Sequence, residues 1–312
     1  MPQITQIIDD KSEHCIPFIL ERIQASQEQH KRAGEDPPPF FIGLNGIQGA
    51  GKTTLVETLC SLLTSEQFNL PTVVLSIDDL YLPHDKQIQL AGSHADNPLV
   101  QHRGQPSTHD VQLGVELFAA LKNRKSNIQI PSYDKSAFSG QGDRRNPQDW
   151  RTVNGNGSAL VEVVIFEGWC VGFRPLTDTE LEQTWKAAKE EAQRLGTSYK
   201  GQLGHIKFEH AQFVNSALKQ YDQLTDQLDA LIHIDAEDTQ YVYTWRAQQE
   251  TALRAAKGTG MSDEQVVHFV NGYYPAYELY SKKLRQGVYS EEGRQIRLMV
   301  GSDRRVKEVF KL

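Results

Sequence analysis

Nowhere in the sequence is there an apolar run long enough to span a bilayer, and its first stretch, MPQITQIIDDKSEHC, is acidic where a secretory signal needs a basic start. Membrane insertion and secretion are not expected. Cysteine is scarce: Cys15, Cys60 and Cys170 form an odd, scattered set without CxxC spacing, which argues against a disulfide framework and against a zinc knuckle. Basic charge is not in excess either. The 312 residues hold 33 Lys and Arg against 40 Asp and Glu, a net charge of −7, so no global positive field exists to hold a nucleic acid or an anionic membrane. No NKxD-like guanine-reading block occurs, which sets regulatory GTPases aside, and internal repeats are missing. These absences leave an intracellular chain, expected in the cytoplasm with the nucleus also open to it. Its expected partner is a small molecule, and it can be a monomer or a homodimer.

With 38% hydrophobic residues the chain can bury a large core, and residues 1–312 read as one domain. From about Pro2 to Ala33 the spacing of Ile4, Ile7, Ile8, Ile16, Phe18, Ile19, Leu20 and Ile23 predicts a helical lead-in, residues 1–39, ended by Pro37-Pro38-Pro39. Apolar runs at 40–44, 72–77, 161–166, 231–234 and 296–300 predict buried strands, separated by longer polar or helix-compatible stretches. That alternation implies an α/β fold with a mainly parallel sheet, and the polar, helix-forming residues 177–225 read as a helical insertion.

Gly46-Ile47-Gln48-Gly49-Ala50-Gly51-Lys52-Thr53 fits GxxxxGK[ST], with the strand FFIGL before it and the helix-compatible TTLVETLCSLLT, opening at Thr53-Thr54, after it. This is the phosphate loop of a P-loop NTPase, a three-layer fold. Glycines let consecutive N–H groups curl around phosphate oxygens at a helix N-terminus. Lys52 is expected to bridge the β- and γ-phosphates of ATP, and the Thr53 hydroxyl to reach Mg²⁺.

Ligands of such sheets sit beyond the carboxyl ends of the strands, so the residues closing each apolar run are the candidates for chemistry. SIDDLYL ends its strand at Asp78 and Asp79, which can accept a proton from an acceptor hydroxyl near Mg²⁺ or can merely cap a helix. Both Glu167 and Asp235 end apolar runs as metal-facing acids should. Gly168, by permitting close approach to the nucleotide, favours Glu167.

Taken together, SIDDLYL, HRGQPSTHD, PSYDKSAFSGQGDR, FEGWCVGFRPL and YTWRAQQE resemble the successive blocks of the D-glycerate 3-kinase family, including its fungal glycerate-kinase-like members. The chain is more distantly similar to uridine kinase, phosphoribulokinase and pantothenate kinase. The resemblance spans roughly Phe40 to Val300. It implies transfer of the γ-phosphoryl group of ATP to a hydroxyl of a small metabolite. Asp78 takes the position of the catalytic aspartate and Glu167 that of the Mg²⁺-side carboxylate, while Asp79, Tyr81 and Tyr133 fall on the substrate side. A lid arginine of the related kinases corresponds to Arg246, whose alternative is an i,i+4 pair with Glu250.

Arg103, His109, Lys135, Arg144 and Arg174 lie in predicted loops of an acidic protein, and such an excess of cations suits an acceptor carboxylate, with D-glycerate first. Some of them can equally bind ATP phosphates or form structural ion pairs. A nucleoside or pantothenate acceptor, or an ATPase driving a macromolecular partner, is the alternative. Ser262 and Gln265 form a capping box that starts a helix after the glycines Gly258 and Gly260.

Overall fold

The run FFIGL opens strand β1 (Phe40–Gly46), buried at every position, and ALIHIDA forms the equally buried β8 (Ala230–Ala236). These lie at the centre of a six-stranded sheet of order β10-β9-β8-β1-β7-β2. Its other members are β2 (Thr72–Ser76), β7 (Val163–Gly168), β9 (Gln295–Val300) and β10 (Val306–Lys311). All ladders are parallel except that of β10 on β9, which is antiparallel and broken by an irregularity between Val306 and Glu308. Continuous apolar runs are what a parallel strand covered on both faces requires, which is why these five strands were legible. The edge strand β10 was not, because VKEVFK is mostly exposed and has no apolar run.

The computed structural model describes residues 9–258 and 260–312, so Ile4, Ile7 and Ile8 of the expected lead-in lie outside it. Within that range the lead-in is α1 (Ser12–Ala33), burying Cys15, Phe18, Ile19 and Ile23 and stopped by Gly34 at φ 73°. Helix α2 (Lys52–Thr64) follows the glycine loop, α3 (His84–Ser93) follows SIDDLYL, and α4 (Val111–Lys122) sets Phe118 against Phe41 and Phe166 with ring centroids 4.8 and 5.1 Å apart. Two short antiparallel pairs stand apart from the main sheet. One is β3 (Ile128–Ile130) with β6 (Arg151–Val153), the other β4 (Tyr133–Asp134) with β5 (Asp143–Arg144).

The expected insertion is helical: α5 (Asp178–Leu195), capped by a Thr177–Glu180 box, then α6 (Phe208–Leu218) and α7 (Asp222–Thr225). Helices α8 (Tyr241–Lys257) and α9 (Asp263–Gln286) lie between β8 and β9, and α9 begins at the expected Ser262–Gln265 capping box. Among the described residues no helix is long and apolar enough to cross a membrane.

Candidate active site

The register sets strand ends side by side: Leu44 and Ser76 both pair with Glu167, and Gly46 pairs with Ile234. The loop after β1, the SIDDLYL turn, Glu167 and Asp235 therefore share the carboxyl edge of the sheet.

In the glycine loop, Gly49 and Gly51 take φ of 82° and 95°, values that a side chain disfavours. A Cβ on Gly49 would lie 2.5 Å from Cβ of Trp245, and one on Gly46 would lie 3.1 Å from Cγ of Lys52. The Lys52 ammonium donates to Gly46 O at 2.7 Å and to Ile47 O at 3.4 Å. Burial pulls its pKa down, and the carboxylates of Glu167 and Asp78 act against that. Thr53 is exposed and Thr54 half-buried at the start of α2, where the opening N–H groups have no intrahelical partner and the helix dipole favours an anion. Ile47, Ala50 and Gln48 complete the turn, with the Ala50 N–H on Ile47 O at 3.2 Å and the Tyr277 hydroxyl donating to the Gln48 side chain at 3.3 Å.

One hydroxyl organises the acids. Ser76 caps the short turn Ile77–Leu80, accepting from Asp78 N at 3.4 Å, and donates to Glu167 Oε1 at 2.7 Å. The cap is thus Ser76 and neither aspartate, which leaves the Asp78 carboxylate to its partners: Lys135 Nζ at 2.5 Å from Oδ2, and the phenol of Tyr81. Burial pushes Asp78 upward, but Lys135, His109 and Tyr81 outweigh it and hold its pKa below the ordinary value. Asp79 points the other way, accepting from Tyr133 N at 3.0 Å, and burial raises its pKa. Gly168 is a correction. A Cβ there would lie 2.3 Å from Cγ2 of Ile77, so its bareness admits the neighbouring turn, not the nucleotide.

Beside the SIDDLYL turn Tyr81 stacks on His109 at 4.5 Å and meets Tyr133 edge-on at 5.3 Å. Arg103 donates to Gly140 O at 2.7 Å and to Gln141 O, and lies 5.6 Å from the Tyr133 ring. His109 is buried with Nδ1 2.7 Å from the Tyr221 hydroxyl, and burial pushes its pKa down to about 4. It is neutral at physiological pH and so is not one of the cations counted from the sequence.

Three other arginines are committed to protein partners. Arg144 holds Asp110 at 3.1 Å and donates to Tyr81 O at 2.9 Å, bracing the SIDDLYL block. Arg174 pairs with Asp222 at 2.8 Å and Asp226 at 2.6 Å. Arg246 makes the i,i+4 pair with Glu250 at 2.5 Å and lies 4.8 Å from the Phe269 ring centroid, beside the Trp245 that packs on Gly49. Asp235 is likewise occupied, by Arg285 at 2.9 Å and Arg297 at 2.7 Å. Among the described residues no three His, Cys, Asp or Glu gather as a ready-made metal cage. The Thr53 hydroxyl with the Asp78 and Glu167 carboxylates is an oxygen-only donor set, of the kind that suits Mg²⁺, an ion that keeps waters and phosphate oxygens in its shell.

No protein-family model matches the chain. Over 276 residues it is 40% identical to Uncharacterized kinase mug58 of Schizosaccharomyces pombe, covering 88% of this chain and 92% of that protein. Over 251 residues it is 36% identical to the chloroplastic D-glycerate 3-kinase of Arabidopsis thaliana, covering 79% of this chain and spanning 49% of that longer protein. The solved structure of D-glycerate 3-kinase from Cryptococcus neoformans var. grubii matches with a TM-score of 0.84 at 33% identity, covering 98% of this chain and 100% of that one. The chain belongs to the D-glycerate 3-kinase family. As a member it is an ATP-dependent kinase of small molecules with the α/β fold expected from its alternating runs.

Within this family member several residues touch the site without having been singled out in the sequence: Ser76, Trp245, Tyr221, Tyr273 and Arg304. Ser76 had a readable signal, a serine two positions before an acid. The others meet the site from far along the chain. Tyr273, for instance, donates to Arg103 O at 3.1 Å and fills the space over Gly104, where a Cβ would lie 2.3 Å from its hydroxyl.

Proposed function

We propose that the protein transfers the γ-phosphoryl group of ATP, with Mg²⁺, to a hydroxyl of an anionic hydroxy-acid, D-glycerate first. The observation that carries this reading is the 2.5 Å pairing of Lys135 with Asp78 on the acceptor side of the carboxyl edge. A basic side chain waits there beside the carboxylate assigned to proton transfer, in a family whose D-glycerate 3-kinases align with the chain.

In this reading the N–H groups of the glycine loop and the start of α2, residues 46–54, hold the phosphates, and Lys52 leaves the Gly46 and Ile47 carbonyls to bridge the β- and γ-phosphates. Mg²⁺ held by Thr53, Asp78 and Glu167 would offset phosphate charge. The acceptor carboxylate gives Lys135 a second anion, with Arg103 beside it and His109, Tyr81 and Tyr133 supplying neutral donors. Asp78 then takes the hydroxyl proton as the oxygen bonds to the γ-phosphorus, and the bond to the β-phosphate oxygen breaks to release ADP. Arg246 serves by turning from Glu250 toward the transferring group. Asp79 positions Tyr133, and Arg144 positions Tyr81, each by the bonds described above. Free thiols at Cys15, Cys60 and Cys170 suit a reducing compartment, and we place the protein in the cytoplasm, with the nucleus open to it as well.

Product analysis with purified protein, Mg-ATP and D-glycerate, beside uridine and pantothenate, tests the assignment. Formation of a phosphoglycerate alone is expected. Phosphorylation of uridine or pantothenate with glycerate untouched would overturn the acceptor.

A further inference from the structure

The turn between β9 and β10 reaches back to the glycine loop. Arg304 is 5% exposed, and its Nε donates to Gly49 O at 2.6 Å. Its Nη2 donates to Gln248 Oε1 at 2.7 Å, and the guanidinium lies 5.2 Å from the Trp245 ring centroid. The turn carrying it is pinned at several points. Trp245 Nε1 donates to Ser302 O at 2.8 Å, Lys11 Nζ donates to Arg304 O at 2.7 Å, and Asp10 Oδ2 accepts from Val306 N at 2.8 Å. Lys11 itself is 1% exposed. Arg304 sits at φ 65°, a strained conformation for an arginine that this network maintains.

Two physical consequences follow for the loop. Gly49 at φ 82° belongs to the residue type whose peptide rotates most freely, and a flip would turn the Gly49 carbonyl to the side its peptide N–H now faces, against the Ile47 carbonyl, and distort the loop. Arg304 holds that carbonyl from outside, while the N–H at the other end of the same peptide, Ala50, is bonded to Ile47 O at 3.2 Å. The second consequence is electrostatic. Among the described residues no carboxylate lies within ion-pair distance of Arg304, whose acceptors are a carbonyl and an amide. A buried cation left without an anion is unfavourable, and a bound polyphosphate nearby relieves it.

We propose that Arg304 is a positioning residue for nucleotide binding, fixing the Gly49 peptide and supplying uncompensated positive charge behind the loop, and that Lys11 and Trp245 hold it in place. This rests on the glycine loop being the ATP phosphate site. Its effect is on ATP and not on the acceptor, which separates it from a general role in stability.

Calorimetric ATP titration and steady-state kinetics on full-length R304Q, R304K and K11M test it. R304Q is expected to weaken ATP binding about tenfold or more. R304K, which keeps the charge but loses the fork, and K11M are each expected to weaken it about threefold. The Michaelis constant for the acceptor should stay within twofold of wild type throughout. If R304Q does not fold, R304K and K11M decide. Folded variants that bind ATP within twofold of wild type overturn the inference, as does an equal rise in both Michaelis constants. Wild-type protein that fails to bind ATP overturns instead the reading on which the inference rests.

Discussion

The ammonium of Lys135 lies 2.5 Å from Oδ2 of Asp78, joining the loop after β4 to the turn that follows β2. The pair sets the charge state of the acid, since burial alone would raise the Asp78 pKa and Lys135 leads the groups that bring it below the ordinary value. Lys135→Met is therefore expected to move the acidic limb of the kcat/KM profile to higher pH, because a carboxyl with a raised pKa loses its basic form sooner on acidification. The same variant should raise the Michaelis constant of a hydroxy-acid about tenfold or more. An unmoved acidic limb would separate Lys135 from the reaction.

Asp78→Asn is expected to lower the phosphoryl-transfer rate by roughly 100- to 10,000-fold, the range of general-base catalysis, while ATP still binds. Rapid-quench measurement of the chemical step together with ATP titration checks both halves. A loss confined to ATP affinity would assign Asp78 to the nucleotide alone.

Lys52→Ala removes a charge from the phosphate cradle and should reduce turnover on the order of 100-fold or more. Thermal melts should show the fold retained and the stabilisation by nucleotide gone. Wild-type turnover in this variant would defeat the phosphate-loop assignment.

Glu167→Gln should weaken Mg²⁺-dependent activity far more than Asp235→Asn. The structure gives the second variant a different phenotype. Asp235 is 4% exposed and neutralises Arg285 and Arg297, so its amide leaves two guanidiniums short of an anion and should lower stability by about 3 kcal/mol. Mg²⁺ titrations of activity and denaturant unfolding, run on both proteins, distinguish the two effects. A larger shift in Mg²⁺ dependence from Asp235→Asn would mean that the other strand faces the metal.

Acid should destabilise the fold through its buried histidines. Burial pushes the pKa of His233 from 6.5 down to about 4, although Asp235 at 3.9 Å opposes the shift. The unfolded chain thus binds the extra proton first, so stability is full above about pH 6.5 and falls as pH drops toward 4. At pH 5 the loss should be on the order of 1–2 kcal/mol from this group. Urea unfolding of wild type and His233→Asn between pH 7 and 5 checks the slope, which should be shallower in the variant.

The glycine loop and the acids at the strand ends were legible because each rests on a local signal, an apolar run followed by a special residue. Pairing was not legible. Arg144 and Arg174 stood beside Arg103 and Lys135 as candidate acceptor cations in the sequence, and Arg246 as a lid arginine, yet Asp110, Asp222 with Asp226, and Glu250 engage them in the structure. Only the partner of Arg246 lies close enough in sequence to be guessed by helical spacing. His109 was miscounted for a related reason: its charge depends on burial, to which composition is blind. The small β4–β5 pair that carries Tyr133 is too short for any periodicity to register.

The central strand β1 finds both of its neighbours far downstream, Phe40 beside Val163 and Ile42 beside Ala230, and the loop that follows it is held at Gly49 by a residue 255 positions later. On a ribosome, where the chain emerges from its N-terminus, FFIGL and the glycines appear long before anything that can shelter or shape them. Local helices can form at once, but the sheet must wait for ladders of long sequence separation, the slow kind of folding event. A nascent chain of this protein therefore carries an apolar strand and a bare glycine loop while the intervening residues are made, and the hold on Gly49 forms only once the β9–β10 hairpin has followed.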